Sequence, residues 1–279
     1  MSTLDGLKLM AQGGQAMIYH YGEGKVLRVL RKPEDAQLLG NEIKVMKALK
    51  GRLDVPEIYE SLIVDGKPAV VVEKIDGMSM MDFIKKNPHK LKQQAALLAK
   101  LHANMPSFID IEGLASGKGR SRYLIGLSQL NGDTKSFLFK IVDGLPEGTA
   151  LCHGDFHPGN IIKSGDKNVL IDWFGVYKGD LVSDAAHTYL LLKNVPRFPG
   201  ITGLQYKLMK SSGAAIAKIY LKSFYDIRPF DFTVFSKWLL IKAAERVLYG
   251  WDGEKPRLLR FIDMCRTSPT KPENWYKML

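Results

Sequence analysis

The hydrophobic pattern changes near residue 77, and this change constrains the fold more than any other feature of the sequence. Before it, strand-like runs at residues 18–21 and 25–30 flank Gly22-Glu23-Gly24, and a second pair of runs flanks Asp65-Gly66. Both arrangements are typical of β-hairpins. After it, apolar residues recur mainly at helical spacing. The sequence therefore predicts an α+β fold with a small antiparallel sheet first and a larger, mainly helical part second.

The predicted sheet is accompanied by one predicted helix, at residues 34–49. Leu39, Ile43 and Met46 fall on one face of this helix. Glu42 falls on the same face, where an ionised carboxylate is costly unless a cation meets it. Glu42 is therefore expected to have a cationic partner.

The remaining predicted helices all follow the segment 73–77, which we interpret as a linker. They cover residues 91–105, 121–130, 134–142, 180–193, 206–225, 232–249 and 256–264. The predicted domains are an N-terminal lobe of residues 1–76 and a C-terminal lobe of residues 77–279.

Composition limits the class of protein. The sequence has 279 residues, of which 46% are hydrophobic and 25% charged, as in an ordinary globular protein. It contains no apolar run of membrane-spanning length, and two cysteines are too few for a disulfide scaffold, so we expect a cytoplasmic protein with no membrane partner. The net charge of +11 favours anionic ligands such as nucleotides, but it also fits a solvated basic surface.

A polar segment interrupts the helical part at residues 153–160. It carries Asp155 and Asn160. Strand-like runs that end at residue 152 and lie at residues 161–162 and 169–171 predict a hairpin-like frame around this segment, and Asp172 follows the last run. This spacing matches the pattern of groups that carry out phosphoryl transfer in kinases. Asp155 can accept or orient a hydroxyl proton, while Asn160 and Asp172 offer the hard oxygen ligands that Mg²⁺ prefers. One such residue alone would indicate an ordinary turn. The combination of these residues with His153 and His157 favours phosphoryl transfer.

The chain resembles the aminoglycoside phosphotransferase and choline kinase family, which has a protein-kinase-like fold. The resemblance rests on residues 153–160, on Ile171-Asp172-Trp173 and on residues 180–185. It extends in the expected order through residues 98–102, the linker and the Gly13-Gly14 loop. It implies a bilobal kinase-like enzyme.

The resemblance also implies roles for individual residues. Asp155 is expected to be the catalytic base, and Asn160 and Asp172 the ligands of Mg²⁺. Asp184 or Asp180 is expected to brace the catalytic loop from the start of a helix.

Nucleotide contacts are implied for the N-terminal lobe. The backbone of Glu73 and Ile75 is expected to meet the adenine ring. The Gly13-Gly14 turn offers a flexible backbone against which a phosphate can lie. Glycine pairs also mark ordinary turns, and this one lacks the protein-kinase spacing.

Arg28 departs from the family pattern. Strand alternation places Val26, Arg28 and Leu30 on one face, with Arg28 where the family usually has the lysine that pairs with the acid of the first helix. Glu42 is that acid. An exposed strand cation is the other interpretation of Arg28, and Lys25 or Arg31 would replace it if the register were shifted. With arginine here, either the nucleotide binds with altered geometry or activity is reduced.

Two histidines have more than one interpretation. His157 either helps to neutralise the transferred phosphate or fixes the loop through hydrogen bonds. His102 lies on an apolar helical face and is predicted to be a structural core histidine.

The expected function is transfer of the γ-phosphate of ATP or GTP to a hydroxyl of a small molecule, with Mg²⁺. An aminoglycoside-like antibiotic, an amino alcohol and a sugar-like metabolite remain open as acceptors, and so does the oligomeric state. Glu245, Trp251 and Asp252 are candidates for contacting a cationic acceptor. The alternatives are a nucleotide-binding regulator without turnover and, less favoured, a nucleic-acid-binding module using residues 255–277.

Overall fold

A computed structural model describes residues 4–197, 200–251, 253–268 and 270–279. The chain forms two compact units. The first unit holds the chain up to Lys86 together with residues 111–113 and 158–176, and the second unit holds residues 87–110, 114–157 and the chain from Tyr177 onward. The predicted division into functional lobes at residue 76 stays a prediction, because these units are defined by packing and not by ligand binding.

The described strands are short, and wherever two of them pair with each other they run antiparallel. They are β1 (Leu9–Gln12), β2 (Ala16–His20), β3 (Lys25–Leu30), β4 (Ile58–Val64), β5 (Lys67–Glu73), β6 (Met78–Ser79), β7 (Ala150–Cys152), β8 (Ile161–Ser164), β9 (Lys167–Leu170) and β10 (Tyr177–Gly179).

Helices account for most of the second unit. The described α-helices are α1 (Ala36–Leu49), α2 (Met80–Lys86), α3 (Leu91–Ala103), α4 (Gly117–Leu127), α5 (Gly132–Asp143), α6 (Leu181–Lys193), α7 (Gly203–Ile227), α8 (Phe232–Tyr249) and α9 (Lys255–Thr267). No helix among the described residues is long and apolar enough to span a lipid bilayer.

The main sheet of the first unit confirms both predicted hairpins. Its five strands run in the order β1-β2-β3-β5-β4. Gly22 and Gly24 adopt φ angles of 73° and 65° between β2 and β3, a region that glycine enters at low cost. Asp65 and Gly66 form the corresponding turn between β4 and β5.

Both faces of this sheet are covered by apolar residues. On one face Leu27 and Val29 are buried in a cluster with Tyr19. On the other, Leu30 packs in a cluster with Leu39 of α1. Each fully buried leucine or valine contributes about 1.5–3 kcal/mol. The alternation along β3 therefore places Arg28 on the α1 side of the sheet.

Several helices begin at residues other than those predicted. α1 begins at Ala36 because residues 33–35 form a 3₁₀ turn. α4 begins before residue 121 because the Ser116 side chain accepts the Gly119 N–H. α7 begins at Gly203 because Thr202 and Gln205 form a capping box. The short helix α2 was not predicted.

The strand framework around the polar segment differs in part from the prediction. β8 and β9 form the expected hairpin in the first unit. β7, which we expected to share that hairpin-like frame, pairs instead with β10 in the second unit, with Cys152 opposite Tyr177. The reason is that the first amides after β7, those of His153 and Gly154, donate to a helix carboxylate and not to a neighbouring strand.

Candidate active site

Arg28 holds two carboxylates in the first unit. Its Nη1 lies 2.5 Å from Glu42 Oε1, and its Nη2 lies 3.1 Å from Asp172 Oδ1. The predicted Arg28–Glu42 pair is therefore confirmed, and Asp172 is a second partner that sequence reasoning missed. Glu42 Oε1 also accepts the backbone N–H of Trp173 at 3.1 Å. Glu42 thus links β3, α1 and the segment after β9.

Burial governs the electrostatics of this triad. Burial raises the pKa of the Glu42 carboxyl, and the nearby Arg28 guanidinium opposes that shift. Burial lowers the pKa of Arg28, but Glu42 and Asp172 outweigh it, so the net pKa of the guanidinium is raised. Glu42 Oε2 has no hydrogen-bond partner among the described residues. The two carboxylates therefore stabilise the charged form of Arg28.

Asp172 is held in a rare backbone conformation. Its φ and ψ are 63° and 59°, the left-handed region, which costs a non-glycine residue about 1–3 kcal/mol. The Glu42 bond to the next amide and the Arg28 bond to its side chain hold it there. Its side chain is 38% exposed, whereas that of Arg28 is 15% exposed. Asp172 therefore presents a fixed, accessible carboxylate.

Asn160 lies at the same end of the β8–β9 hairpin as Asp172. The Ile171 N–H donates to the Asn160 carbonyl oxygen at 3.0 Å, and Ile161 faces Leu170 in the ladder. The two predicted metal ligands thus lie at one end of the same hairpin, although their roles remain predictions.

The donor set fits magnesium that arrives with a nucleotide. One carboxylate and one amide oxygen are hard ligands, and Mg²⁺ in such sites takes its other ligands from phosphates and water. No group of three or more His, Cys, Asp or Glu side chains among the described residues is arranged to hold a metal. The chemistry of Asn160 and Asp172 therefore fits Mg²⁺ that shares its coordination with phosphates.

The structure decides between the alternatives left open for Arg28. Lys25 Nζ lies 4.6 Å from the centre of the Tyr59 ring. Arg31 donates from Nε to the Gly13 carbonyl at 2.9 Å. Neither replaces Arg28, so the predicted register is correct.

Arg31 instead fixes the glycine turn between β1 and β2. The Gly13 N–H donates to the Ala16 carbonyl at 2.9 Å, which closes the turn. A Cβ built on Gly14 would meet nothing within 4 Å. The backbone of this turn is therefore exposed, as a phosphate-binding role for Gly13 and Gly14 requires.

The segment predicted to meet adenine follows β5. The backbone N–H of Glu73 donates to the Glu57 carbonyl at 2.9 Å, and Ile75 is half-buried. Two residues further, a Cβ on Gly77 would lie 2.2 Å from the Lys163 carbonyl oxygen, so only glycine fits this crossing over β8. The adenine contacts of Glu73 and Ile75 stay predictions.

In the second unit, Asp184 braces the polar segment from within α6. Its carboxylate accepts the backbone N–H groups of His153 at 2.6 Å and Gly154 at 3.0 Å. Asp180, the other predicted brace, instead caps α6 through Val182. The structure therefore selects Asp184.

A buried histidine completes this brace. His102 Nε2 lies 3.1 Å from Asp184, and its Nδ1 lies 2.7 Å from the Tyr220 hydroxyl. Burial alone raises the pKa of Asp184, but the His102 hydrogen bond and neighbouring histidines outweigh burial and leave the pKa well below its usual range. An ionised acceptor requires the proton on Nε2. The structure thus places His102 in the core, as predicted.

Asp155 is accessible and ionised. Its side chain is 41% exposed, and His157 Nε2 lies 3.6 Å from Oδ2. Burial raises the pKa of Asp155. The hydrogen bond and charge of His157 lower it by more, so the net pKa lies well below the usual range. His187, which sequence reasoning missed, contributes to the same lowering from α6. Asp155 is therefore a carboxylate at neutral pH.

One of the three candidates for contacting a cationic acceptor already has charged partners. Glu245 is buried and accepts hydrogen bonds from Arg120, Ser121 and Lys242 at 2.6–2.9 Å. Trp251 is 56% exposed, and Asp252 lies outside the described residues. Glu245 is thus a structural charge and not a free acceptor of amines.

The sequence matches the model of one enzyme family. The model of the phosphotransferase enzyme family matches residues 18–208, which is more than half of the chain and includes β3, the Asp155 segment, Asp172 and α6. The chain belongs to this family of phosphoryl-transferring enzymes, as the sequence resemblance predicted.

Solved structures confirm the protein-kinase-like fold. The amicoumacin kinase hAmiN, in complex with AMP-PNP, Ca²⁺ and Ami, has a TM-score of 0.62 at 14% identity, covering 98% of this chain and 92% of that one. An aminoglycoside-3'-phosphotransferase of type VIII has a TM-score of 0.61 at 16% identity, covering 88% and 94%. The ADP-bound aminoglycoside phosphotransferase APH(2'')-Ib has a TM-score of 0.59 at 15% identity, covering 98% and 94%.

A curated relative shares part of the sequence. The probable serine/threonine-protein kinase zyg-1 of Caenorhabditis briggsae is 28% identical over 114 residues, which are 37% of this chain. The match spans only 16% of that relative's length.

Proposed function

We propose that the protein transfers the γ-phosphate of ATP or GTP to a hydroxyl of a small molecule, with Mg²⁺. The observation that carries this proposal is the bracing of two acids: Asp172 is held by Arg28 in a strained conformation, and the Asp155 segment is held by Asp184. Strain of this kind persists only where surrounding contacts maintain it. Within this proposal, residues 1–76 serve as the nucleotide-binding lobe.

Asp155 would accept the hydrogen bond of the attacking hydroxyl. Its low pKa makes it a weak base, so it orients the hydroxyl in the ground state and takes the proton late, as the new P–O bond forms and the bond to the β-phosphate breaks. His157 lies beside it and holds its carboxylate. Positioning of this kind supplies a large part of the rate in phosphoryl transfer.

Asn160 and Asp172 would hold Mg²⁺. When bound, the ion neutralises the charge on the phosphates. Arg28 would hold the Asp172 carboxylate in place. Its guanidinium, bonded to both Glu42 and Asp172, would take the place of the family's usual lysine near the phosphates of the nucleotide. The turn of Gly13 and Gly14 would lie against the phosphates, with Gly13 closing the turn and Gly14 presenting its backbone to them, and Glu73 and Ile75 would contact adenine.

Among the possible acceptors, we favour a neutral, sugar-like hydroxyl compound over a polycation. Glu245 is already paired with buried cations, and the chain carries a net charge of +11. Cys152 and Cys265 are buried free thiols, which supports the reducing cytoplasm as the compartment.

The test is a γ-phosphate transfer assay with labelled ATP or GTP, with Mg²⁺ or with a chelator. The acceptor panel contains sugars, amino alcohols and aminoglycosides. We expect a Mg²⁺-dependent phosphate monoester from at least one acceptor. Nucleotide binding without transfer to any acceptor would contradict the proposal and favour a regulator without turnover.

A further inference from the structure

The second unit contains a cationic pocket in addition to the Asp155 segment. It has a volume of about 310 Å³ and lies among the end of α6, α7 and α9. Four cationic side chains line it: Lys193, Lys210, Arg257 and Arg260. None of the residues proposed for catalysis, metal binding or nucleotide contact is among the described residues of its lining.

The four cations of this pocket have no acidic partners among the described residues. No Asp or Glu side chain belongs to the described lining, and none of the four forms an ion pair within the part of the chain described. Glu254, at the start of α9, is engaged by Arg246 through two hydrogen bonds of 2.6 and 3.0 Å. Leu279 also lines the pocket, and a main-chain carboxylate there would still be outnumbered four to one.

One of the cations is already oriented. Arg257 Nη2 donates to the Val195 carbonyl at 2.7 Å, and the side chain is half-buried. A guanidinium has five donor N–H groups, so this bond leaves others for a ligand. Arg257 is therefore a preorganised anion-binding group, unlike a lysine that is free in solvent.

The floor of the pocket is apolar. Phe261 is 2% exposed, and Met264 and Met278 line the pocket beside it. Solvated basic surfaces are expected on a protein of net charge +11, but those surfaces have no need of a concave shape or an apolar floor. Like charges gathered around such a floor repel one another, and a bound polyanion relieves that repulsion.

We propose that this pocket binds a small anion carrying two or more phosphate charges. The four cations match a diphosphate, and the volume is at the lower end of the roughly 300–1,000 Å³ of small-molecule sites. The ligand is either an inorganic or sugar polyphosphate, held by charge alone, or a nucleoside diphosphate whose base lies on the floor.

The experiment uses the full chain labelled with ¹³C on the methionine methyl groups. Met264 and Met278 report on the pocket, and Met46 in α1 reports on the first unit. Inorganic pyrophosphate and ADP are titrated separately without Mg²⁺. We expect the Met264 and Met278 signals to shift saturably with pyrophosphate. If the base of ADP contacts the apolar floor, the same signals should give a lower Kd for ADP than for pyrophosphate.

A pair of double variants separates the pocket from general charge. Lys210→Ala with Arg260→Ala removes two pocket cations, and Lys207→Ala with Lys218→Ala removes two exposed cations of α7 outside the lining. We expect the first double variant to weaken binding at least tenfold and the second to change it less than twofold. The proposal is overturned if Met264 and Met278 do not shift, if both double variants weaken binding equally, or if neither does.

Discussion

At the scale of single residues, position 28 shows how an unusual side chain is accommodated. A lysine presents one compact charge, whereas the guanidinium of Arg28 meets Glu42 and Asp172 at once. The carboxylate of Glu42 is buried, so its ionised form depends on this cation. The departure from the family pattern therefore adds a contact to Asp172 instead of removing one.

Substitution of Arg28 by methionine tests this dependence. Arg28→Met should destabilise the protein by about 3–5 kcal/mol at neutral pH, because it leaves Glu42 buried without a cation. Arg28 opposes the rise of the Glu42 pKa that burial causes, so its removal should raise that pKa further. The penalty should therefore appear as the pH rises above about 4.3, the unfolded value, and should grow until the pH passes the folded-state pKa of Glu42 in the variant. Denaturant unfolding at pH 5 and pH 8 measures the difference.

The control for Arg28→Met is the double variant Arg28→Met with Glu42→Gln. It leaves no buried charge, so it should recover a large part of the loss and remove the added pH dependence. Equal stability of the single and double variants would show that burial of the Glu42 charge is not the cause.

At the scale of elements, the start of α6 offers two acids with different tasks. Asp184 accepts two loop amides and is fully buried, whereas Asp180 caps the helix and accepts the Trp238 indole N–H at 2.8 Å. Burial raises the pKa of Asp180 and disfavours its charged form. Asp184 therefore depends on its negative charge to hold the loop amides, whereas Asp180 does not need its charge to cap the helix.

Asparagine substitutions distinguish these two tasks. Asp184→Asn should cost about 3 kcal/mol and lower kcat about tenfold, because the amide nitrogen would face a loop N–H. Asp180→Asn should cost less, about 1–2 kcal/mol, because asparagine keeps the helix cap and only its amide nitrogen, facing the Trp238 indole N–H, loses a hydrogen bond. Urea unfolding and kcat at pH 7 provide the comparison, and equal losses in the two variants would refute the assignment.

The pH dependence of unfolding gives a second measure of Asp184. Its folded-state pKa is lowered, so its contribution is complete above the unfolded value of about 3.9 and is lost as the pH falls below it. Asp184→Asn should therefore lose less stability than the wild type between neutral and acidic pH.

The sequence predicts elements whose signals are local. The glycine turns fix both hairpins of the main sheet, and α8 has the predicted bounds of residues 232–249 because its cap and its apolar pattern agree. The capping box of Thr202 and Gln205 is also a local signal, and it would have placed the start of α7 correctly.

Other contacts could not be predicted because they depend on tertiary packing. Arg28 and Asp172 are 144 residues apart, and no periodicity links them. The pairing of β7 with β10 likewise depends on where the following loop places its amides. In both cases local sequence rules give way to long-range hydrogen bonds.

At the scale of the whole molecule, nucleotide binding should stabilise the fold. A ligand at a hundred times its Kd contributes about 2.7 kcal/mol, so Mg²⁺–ATP should raise Tm by several degrees. Asp172→Asn should remove the part of this rise that depends on Mg²⁺. Glu60→Gln, at an exposed carboxylate of β4, should leave it unchanged. Thermal unfolding with and without a chelator measures each effect, and an unchanged Mg²⁺-dependent rise in Asp172→Asn would contradict the ligand assignment.

The most direct test of phosphoryl transfer through Asp155 compares the wild type with Asp155→Asn, using an acceptor found in the transfer assay. Turnover should fall by about 10²–10⁴ because the hydroxyl loses its proton acceptor. The nucleotide Kd should change less than about twofold, since Asp155 is not assigned to nucleotide binding. Transfer by Asp155→Asn at the wild-type rate would contradict the proposed mechanism.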